Sequence, residues 1–154
     1  MRLFIGIPAS ELLKNQVDRV LKEKPFKASW VRSENLHITL KFLGEVEEKN
    51  AKSIIDNFEK VLKPLNKKVL PFEGASSFPN EKKPRVLFLK FFEDPELLKY
   101  QRDVEISFER EGFKKEEREF KVHLTLARFK FPPEIEKFRK LLEKLSKESF
   151  EPFE

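Results

Sequence analysis

Residues 35–43 read Asn-Leu-His-Ile-Thr-Leu-Lys-Phe-Leu, and polar and apolar side chains alternate over 36–42. A period of two is typical of a β-strand that buries one face. We therefore expect a half-buried strand that ends at Gly44, with Ile38 and Leu40 directed into the core. A strand between two helical patterns also sets the fold class, since strands and helices then alternate along the chain.

The rest of the chain supplies eight further predicted elements. Four segments have the length and apolar content of strands: 2–8, 67–78, 85–92 and 118–129. Four others repeat apolar residues at helical spacing: 11–23, the segment from Ala51 to Leu62 that stops before Pro64, 94–112 and 133–147. Ser10 and Asp94 stand where helix N-caps are expected, and Gly112 where a helix ends in a left-handed residue. The order β-α-β-α-β-β-α-β-α predicts an α+β fold in one domain that spans 1–154.

Composition narrows the class of protein. A chain of 154 residues without cysteine suits one compact domain and excludes disulfides and thiolate nucleophiles. The apolar start of the chain is too short for a signal peptide and no later run approaches a membrane span, so we expect a cytoplasmic monomer without a membrane partner. A net charge of +5 favours polyanions such as nucleic acid, although the bland alternative is a solvated surface of mixed charge.

Two tetrads of one form carry the chemical signal. The chain has two histidines, and each begins a His-x-Thr-x sequence, at His37 and at His123. It also has two threonines, Thr39 and Thr125, and both lie inside these tetrads. On a strand, residues i and i+2 share a face about 6.6 Å apart, so each tetrad presents an imidazole and a hydroxyl together. A lone histidine of this kind is more often a hydrogen-bonded residue at a strand edge. Because the chain has two tetrads of one form, a functional site is here the favoured interpretation.

Paired imidazoles and hydroxyls suit a phosphodiester substrate. Opening a cyclic phosphate needs a base for the attacking water and an acid for the departing sugar oxygen, and histidine performs either role near neutral pH. The threonine hydroxyls would donate hydrogen bonds to the non-bridging oxygens, where charge builds in the transition state. The sequence predicts this chemistry without a metal or another cofactor, because two histidines without thiols or a carboxylate cluster leave zinc short of ligands. A nucleoside triphosphate site is disfavoured, since the four glycines form no phosphate-binding loop.

These motifs and their flanking residues resemble one family over residues 1 to about 148. The chain looks like the bacterial and archaeal RNA 2′,3′-cyclic phosphodiesterases, historically called 2′-5′ RNA ligases, within the two-histidine phosphoesterases. The matching words are Arg2-Leu3-Phe4-Ile5-Gly6-Ile7-Pro8, Leu36-His37-Ile38-Thr39-Leu40-Lys41-Phe42-Leu43-Gly44 and Val122-His123-Leu124-Thr125-Leu126-Ala127-Arg128. The resemblance implies two pseudo-symmetric lobes of antiparallel sheet, with helices outside and the active-site groove between the lobes.

The resemblance also implies the reaction and the role of each histidine. The family hydrolyses a 2′,3′-cyclic phosphate at an RNA end to a 2′-phosphomonoester, so RNA or a cyclic nucleotide is the expected partner. By analogy His37 is the proton donor to the leaving 3′ oxygen and His123 the acceptor from water. The residues themselves leave that assignment open, because the two tetrads are nearly symmetric.

Two more site residues follow from the resemblance, five positions after each histidine. Phe42 is implied as a base-stacking surface and Arg128 as a phosphate clamp. Strict alternation puts both on the face opposite the histidines, so a bulge or a strand end after Leu40 and after Leu126 is required to turn them. The competing interpretations are core packing for Phe42 and a plain surface charge for Arg128.

Two alternatives to hydrolysis stay open at this stage. The same site run in reverse would join a cyclic phosphate to a 5′ hydroxyl, an ATP-independent 2′-5′ ligation. A non-catalytic RNA-binding module is also compatible with the charge, but it would not need two His-x-Thr pairs. An RNA recognition motif is disfavoured, since 118–129 lacks its aromatic and glycine pattern. The chain stops at Glu154, where family members commonly continue into further strands, so we expect one incomplete sheet edge.

Overall fold

The computed structural model describes residues 1–61 and 65–153, and it confirms the predicted α+β class. The strands are β1 Arg2–Pro8, β2 Ser29–Trp30, β3 His37–Glu45, β4 Phe72–Phe78, β5 Val86–Phe91 and β6 His123–Arg128. The helices are α1 Glu11–Val20, α2 Glu48–Val61, α3 Pro95–Glu109 and α4 Ile135–Lys147. A short 3₁₀ turn, Ser33–Asn35, precedes β3. Over the described residues, no helix is both long enough and apolar enough to cross a membrane.

The predicted caps determine where two helices begin. The Ser10 hydroxyl accepts a hydrogen bond from the Leu13 amide at 3.2 Å and so satisfies one free donor at the start of α1. Asp94 does the same for α3 through the Leu97 amide at 3.0 Å. Gly112, just after α3, has a φ of +95°, a conformation that a residue with a side chain rarely adopts.

Some predicted boundaries differ from the structure. The strand predicted at 118–129 is shorter, because it begins only at His123, after a charged segment without alternation. The helix predicted to reach residue 23 ends at Val20. The two-residue strand β2 was not predicted, since no periodicity is visible in so short a segment. The predicted end of α2, at Leu62 and Pro64, lies outside the described residues.

The chain divides into two compact units. Unit 1 comprises Met1–Ile7, Thr39–Lys67 and Glu93–Lys121, and unit 2 comprises Pro8–Ile38, Lys68–Phe92 and Val122–Glu154. The boundary falls inside β3. His37 and Ile38 of the first tetrad therefore belong to unit 2, and Thr39 and Leu40 belong to unit 1.

Unit 2 is built on a four-stranded sheet with the order β2-β6-β5-β4, in which every neighbouring pair is antiparallel. Helix α4 packs on β4, where the Ser146 hydroxyl accepts a hydrogen bond from the Ala75 amide at 3.2 Å. The core of this unit contains the buried apolar side chains of Leu13, Val17, Leu87, Leu89, Leu124, Leu126, Phe138 and Leu145. The face that carries Leu87, Leu89, Leu124 and Leu126 is therefore the packing face of the sheet.

Unit 1 contains most of a two-stranded sheet formed by β1 and β3. Val46 donates its amide to the Met1 carbonyl at 2.8 Å, which pairs the start of β1 with the end of β3 in antiparallel fashion. Helix α3 buries Leu97, Val104 and Phe108, and the Phe108 ring lies 6.0 Å from that of Phe58 on α2. The apolar stripe predicted for 94–112 is thus the packing face of α3.

A buried ion pair lies behind β3 in unit 1. Lys41 donates to the Glu105 carboxylate at 2.9 Å, and both side chains are nearly inaccessible, at 3% and 6% exposure. The same ammonium donates to the Lys114 carbonyl, and the carboxylate accepts from the Glu116 amide. Gln101 donates its side-chain amide to the Leu40 carbonyl at 3.1 Å. Each charge is therefore desolvated but hydrogen-bonded, which is the condition under which a buried pair is tolerated.

We expect Glu105→Ala to lower the free energy of unfolding by about 3–5 kcal/mol, because it leaves the buried Lys41 ammonium without its counter-charge. Urea titration followed by circular dichroism measures this. The matched control is Glu117→Ala, which breaks an exposed pair with Lys114 and should cost less than about 1 kcal/mol. Equal stability of the two variants would contradict the structural role of the buried pair.

Candidate active site

The second tetrad lies on β6, and the pairing of β6 with β5 defines which of its side chains share a face. His123 is opposite Lys90 and Thr125 is opposite Phe88, so each pairs with an alternate residue of the regular strand β5. The burial pattern agrees: Leu124 and Leu126 are buried on the core side, while His123 and Thr125 are half-buried. The predicted burial of Leu124 and Leu126 in the core is confirmed for β6.

The ladder between β5 and β6 contains a bulge next to the tetrad. Phe88 pairs with Thr125 but Leu87 pairs with Ala127, so Leu126 is an extra residue on β6. After the bulge Arg128 pairs with Val86, which shares a face with Phe88 and Lys90. Arg128 is consequently on the face of His123 and Thr125, as the resemblance required, and its side chain is exposed.

Two phenylalanine rings hold the His123 imidazole. The Phe78 ring centroid lies 5.2 Å from it at 90°, and the Phe88 centroid 5.4 Å away at 71°, both edge-on. The two phenyl rings themselves stack at 4.2 Å. Because edge-on aromatic contacts favour one arrangement and the neighbours are packed, the imidazole is restricted in orientation.

The sequence did not identify Phe78, Phe88 or Lys90 as neighbours of the site. Lys90 is the exposed member of β5, directly across from His123, and it adds a positive charge to this face. The hairpin of β4 and β5 was predicted, but its register was not, and only the register shows which side chains stand beside His123. The sequence did contain one signal for Lys90, which is a charged residue inside the apolar run Val-Leu-Phe-Leu-Lys-Phe.

The first tetrad begins where the 3₁₀ turn leads into β3. The His37 ring nitrogen Nδ1 lies 2.6 Å from the carbonyl oxygen of Asn35, within the turn. A carbonyl only accepts, so Nδ1 carries the hydrogen and donates it. The other nitrogen, Nε2, is then the one without a hydrogen in the neutral ring.

The remainder of β3 departs from alternation at the same place as β6. Ile38 and Leu40 are buried and Thr39 is half-buried, as predicted, but Lys41 is buried too and Phe42 is 61% exposed. Both motif strands therefore have two consecutive buried residues before the fifth position. Core packing is the wrong interpretation for Phe42, whose ring is exposed and lies 6.1 Å from that of Phe4 in unit 1.

The predicted site residues are divided between the two units. His37, His123, Thr125 and Arg128 all belong to unit 2, whereas Thr39 and Phe42 belong to unit 1. Within the described residues, no group of three or more His, Cys, Asp or Glu side chains is arranged to hold a metal ion. The polar groups that unit 2 offers a substrate are imidazole, hydroxyl and guanidinium, a set that suits an anionic ester.

Comparison with known proteins gives consistent relatives. An RNA 2′,3′-cyclic phosphodiesterase of Archaeoglobus fulgidus is 36% identical over 156 aligned positions, which cover 97% of this chain and 84% of the relative. One of the same name from Methanocaldococcus jannaschii is 35% identical, covering 100% of this chain and 86% of the relative. Sequence similarity thus extends over the whole domain and not only over the tetrads.

Solved structures with the same fold also share a quarter or more of the sequence. The crystal structure of TT0787 of Thermus thermophilus superimposes with a TM-score of 0.69 at 27% identity, covering 87% of this chain and 80% of that one. Escherichia coli LigT complexed with 3′-AMP gives 0.66 at 26% identity, covering 86% and 78%. The family model described as LigT like Phosphoesterase matches residues 5–88 and 92–154. With both tetrads inside the matched residues, the chain belongs to the LigT-like phosphoesterase family.

Proposed function

We propose that this chain is a metal-independent RNA 2′,3′-cyclic phosphodiesterase, a single two-lobed domain over 1–154 that acts through His37 and His123. The observation that carries the proposal is the face of β6, where the bulge puts Arg128 beside His123 and Thr125. An imidazole, a hydroxyl and a guanidinium on one strand are groups that phosphodiester cleavage uses. The names of the relatives from Archaeoglobus fulgidus and Methanocaldococcus jannaschii support the same substrate.

The proposed reaction is an attack of water on the cyclic phosphorus. The neutral His123 imidazole takes a proton from the water molecule while the water oxygen forms a bond to phosphorus. The bond from phosphorus to the 3′ oxygen breaks, and the His37 imidazolium gives that oxygen its proton. The product is a 2′-phosphomonoester with a free 3′ hydroxyl, and proton exchange with solvent resets both rings. The hydrogen bond from His37 Nδ1 to the Asn35 carbonyl supports this role, because it fixes the tautomer of the neutral ring and makes Nε2 its basic nitrogen.

The remaining site residues have complementary roles in this proposal. Thr39 and Thr125 donate hydrogen bonds to the non-bridging oxygens, whose charge grows in the transition state. Arg128 binds the phosphate through a charge-assisted hydrogen bond. Phe42 offers an exposed ring on which the terminal base stacks. Acid, base and charge stabilisation are then all supplied by side chains, so the reaction needs no metal.

We expect His37→Ala and His123→Ala each to lower kcat/KM for a 2′,3′-cyclic nucleotide by about 10²–10⁴, because each removes one proton-transfer group. Thr125→Val, which keeps the shape but removes the donor, should cost about 10². The assay is phosphorus NMR, which separates the 2′- from the 3′-phosphomonoester, and circular dichroism checks folding. Wild-type rates in either histidine variant would end the proposal, and RNA bound but never cut would favour a binding module.

Excess EDTA should leave the rate of hydrolysis unchanged, because acid, base and charge stabilisation all come from side chains in this proposal. The measurement compares initial rates with and without chelator on protein dialysed against EDTA. A loss restored by Zn²⁺ or Mg²⁺ would overturn metal independence while leaving the family assignment intact.

Adding RNA with a 5′ hydroxyl to the same reaction reveals whether the site also ligates.

Arg128→Gln should raise KM for the cyclic nucleotide and lower kcat/KM about 10- to 100-fold, the worth of one charge-assisted hydrogen bond. The matched control is Arg19→Gln, an equal change of charge at an exposed position on α1 in the same unit. Steady-state kinetics of the two variants at one salt concentration makes the comparison. If both variants behave alike, the bulge does not deliver Arg128 to the substrate.

A further inference from the structure

The strand that carries His123 ends at a strongly basic surface at one end of the unit 2 sheet. This end is where β5 begins and β6 finishes, and its cationic side chains are all exposed: Lys82, Lys83, Arg85, Arg128 and Lys130. We call this set the basic end. Segments 79–85 and 128–132 together hold these five cations and one acid, Glu81. The charge balance of the basic end thus differs sharply from the mixed surface of the rest of the chain.

The cations of the basic end are not neutralised locally. Among the described residues, none of the five lies within ion-pair distance of a carboxylate, whereas exposed lysines on the helices commonly do, as in the pair Lys137–Glu134. A surface that concentrates unpaired positive charge has a potential that attracts a polyanion.

The basic end is ordered by the sheet itself. Arg85 donates to the Lys130 carbonyl at 2.9 Å, and the Phe129 amide donates to the Arg85 carbonyl at 2.8 Å, so the ladder of β5 and β6 extends one step past Val86. The turn before it is closed by Asn80, whose side chain accepts from the amides of Lys82 and Lys83 at 2.9 Å. The backbone that carries these charges is therefore held by the sheet and its turn.

An exposed aromatic side chain accompanies the charges. Phe131, three residues after β6, is 74% exposed, and the Lys130 ammonium lies 5.9 Å from its ring centroid. An exposed ring among cations suits single-stranded nucleic acid, because its bases stack on aromatic rings while its phosphates contact the neighbouring cations.

The direction of this surface matches the chemistry of the substrate. A 2′,3′-cyclic phosphate terminates an RNA chain, so the rest of the RNA extends from the site only on its 5′ side. Val86 pairs with Arg128, and Phe88 pairs with Thr125. Val86 lies two residues before Phe88 on β5, so the first pair is about 6.6 Å farther along the sheet than the second. The chain continues from the first pair into the segments that carry Arg85, Lys130 and Phe131, and we place the next nucleotides there.

We propose that the basic end, with Phe131, binds the single-stranded RNA immediately 5′ of the cyclic phosphate. The inference rests on the proposed function for the identity of the RNA end, but it adds a polymer-binding site that the tetrads do not contain. Lys82, Lys83 and Lys130 contact phosphates, and Phe131 stacks on a base.

The test compares a triple variant, Lys82→Gln with Lys83→Gln and Lys130→Gln, against a control triple of equal charge change. The control, Lys22→Gln with Lys140→Gln and Lys147→Gln, alters exposed lysines on or next to α1 and α4. Fluorescence anisotropy measures binding of a single-stranded RNA octamer that ends in a 2′-phosphate. Hydrolysis of a 2′,3′-cyclic mononucleotide is measured on the same proteins.

We expect the basic-end triple to bind this RNA at least about 10-fold more weakly than the wild type. Its plot of log affinity against log salt should be about 2 units less steep, because each phosphate that a lysine neutralises adds about 0.7 to that slope. Phe131→Ala should weaken RNA binding about fivefold or more without changing the salt slope. Mononucleotide hydrolysis should stay at the wild-type rate in all of these variants.

The outcomes separate this inference from the proposed function. RNA affinity that is unchanged in the basic-end triple, or reduced equally in the control triple, overturns the inference even if hydrolysis proceeds normally. Selective weakening of RNA binding supports it even if the wild type hydrolyses no cyclic mononucleotide, a result that would instead sink the proposed function.

Discussion

The site depends on one constraint of β-strand geometry, which is that successive side chains point to opposite faces. A motif that needs its first, third and sixth residues on one face cannot be met by a regular strand. On β6 the extra residue Leu126 resolves the conflict and moves Arg128 to the face of His123 and Thr125. The extra residue Leu126 and the next residue, Ala127, are both buried, so the bulge is packed in the core.

Strand β3 also has two consecutive buried residues, Leu40 and Lys41, and a buried lysine needs a partner. Helix α3 supplies Glu105 for the ammonium and Gln101 for the Leu40 carbonyl. A polar network inside unit 1 thus accommodates the buried pair of β3, whereas the corresponding pair of β6, Leu126 and Ala127, is apolar. Because desolvating two charges is costly, this network does not by itself make unit 1 more stable than an apolar packing would.

The sequence predicted those parts of the molecule that follow from local pattern. The tetrads, the burial of Ile38 and Leu124, and the caps at Ser10 and Asp94 all follow from periodicity and residue type. The bulge was required by the motif but could not be located, because Leu126-Ala127 reads as an ordinary strand. Phe78 and Lys90 were missed for a related reason: a position beside His123 is a property of strand register, which no single segment encodes.

The two histidines are equivalent in sequence but not in surroundings. His37 has a carbonyl oxygen fixed at Nδ1, an acceptor that keeps its hydrogen bond whether the ring is neutral or charged. His123 has two phenyl edges against its ring, which fix its orientation by packing. The carbonyl therefore restrains His37 through its Nδ1 atom, whereas the two phenyl rings restrain His123 by packing. All of these groups belong to strands or to turns that continue them, so strand pairing and core packing determine their positions. A core substitution that shifts the pairing of a strand would therefore move these side chains even where it does not contact them.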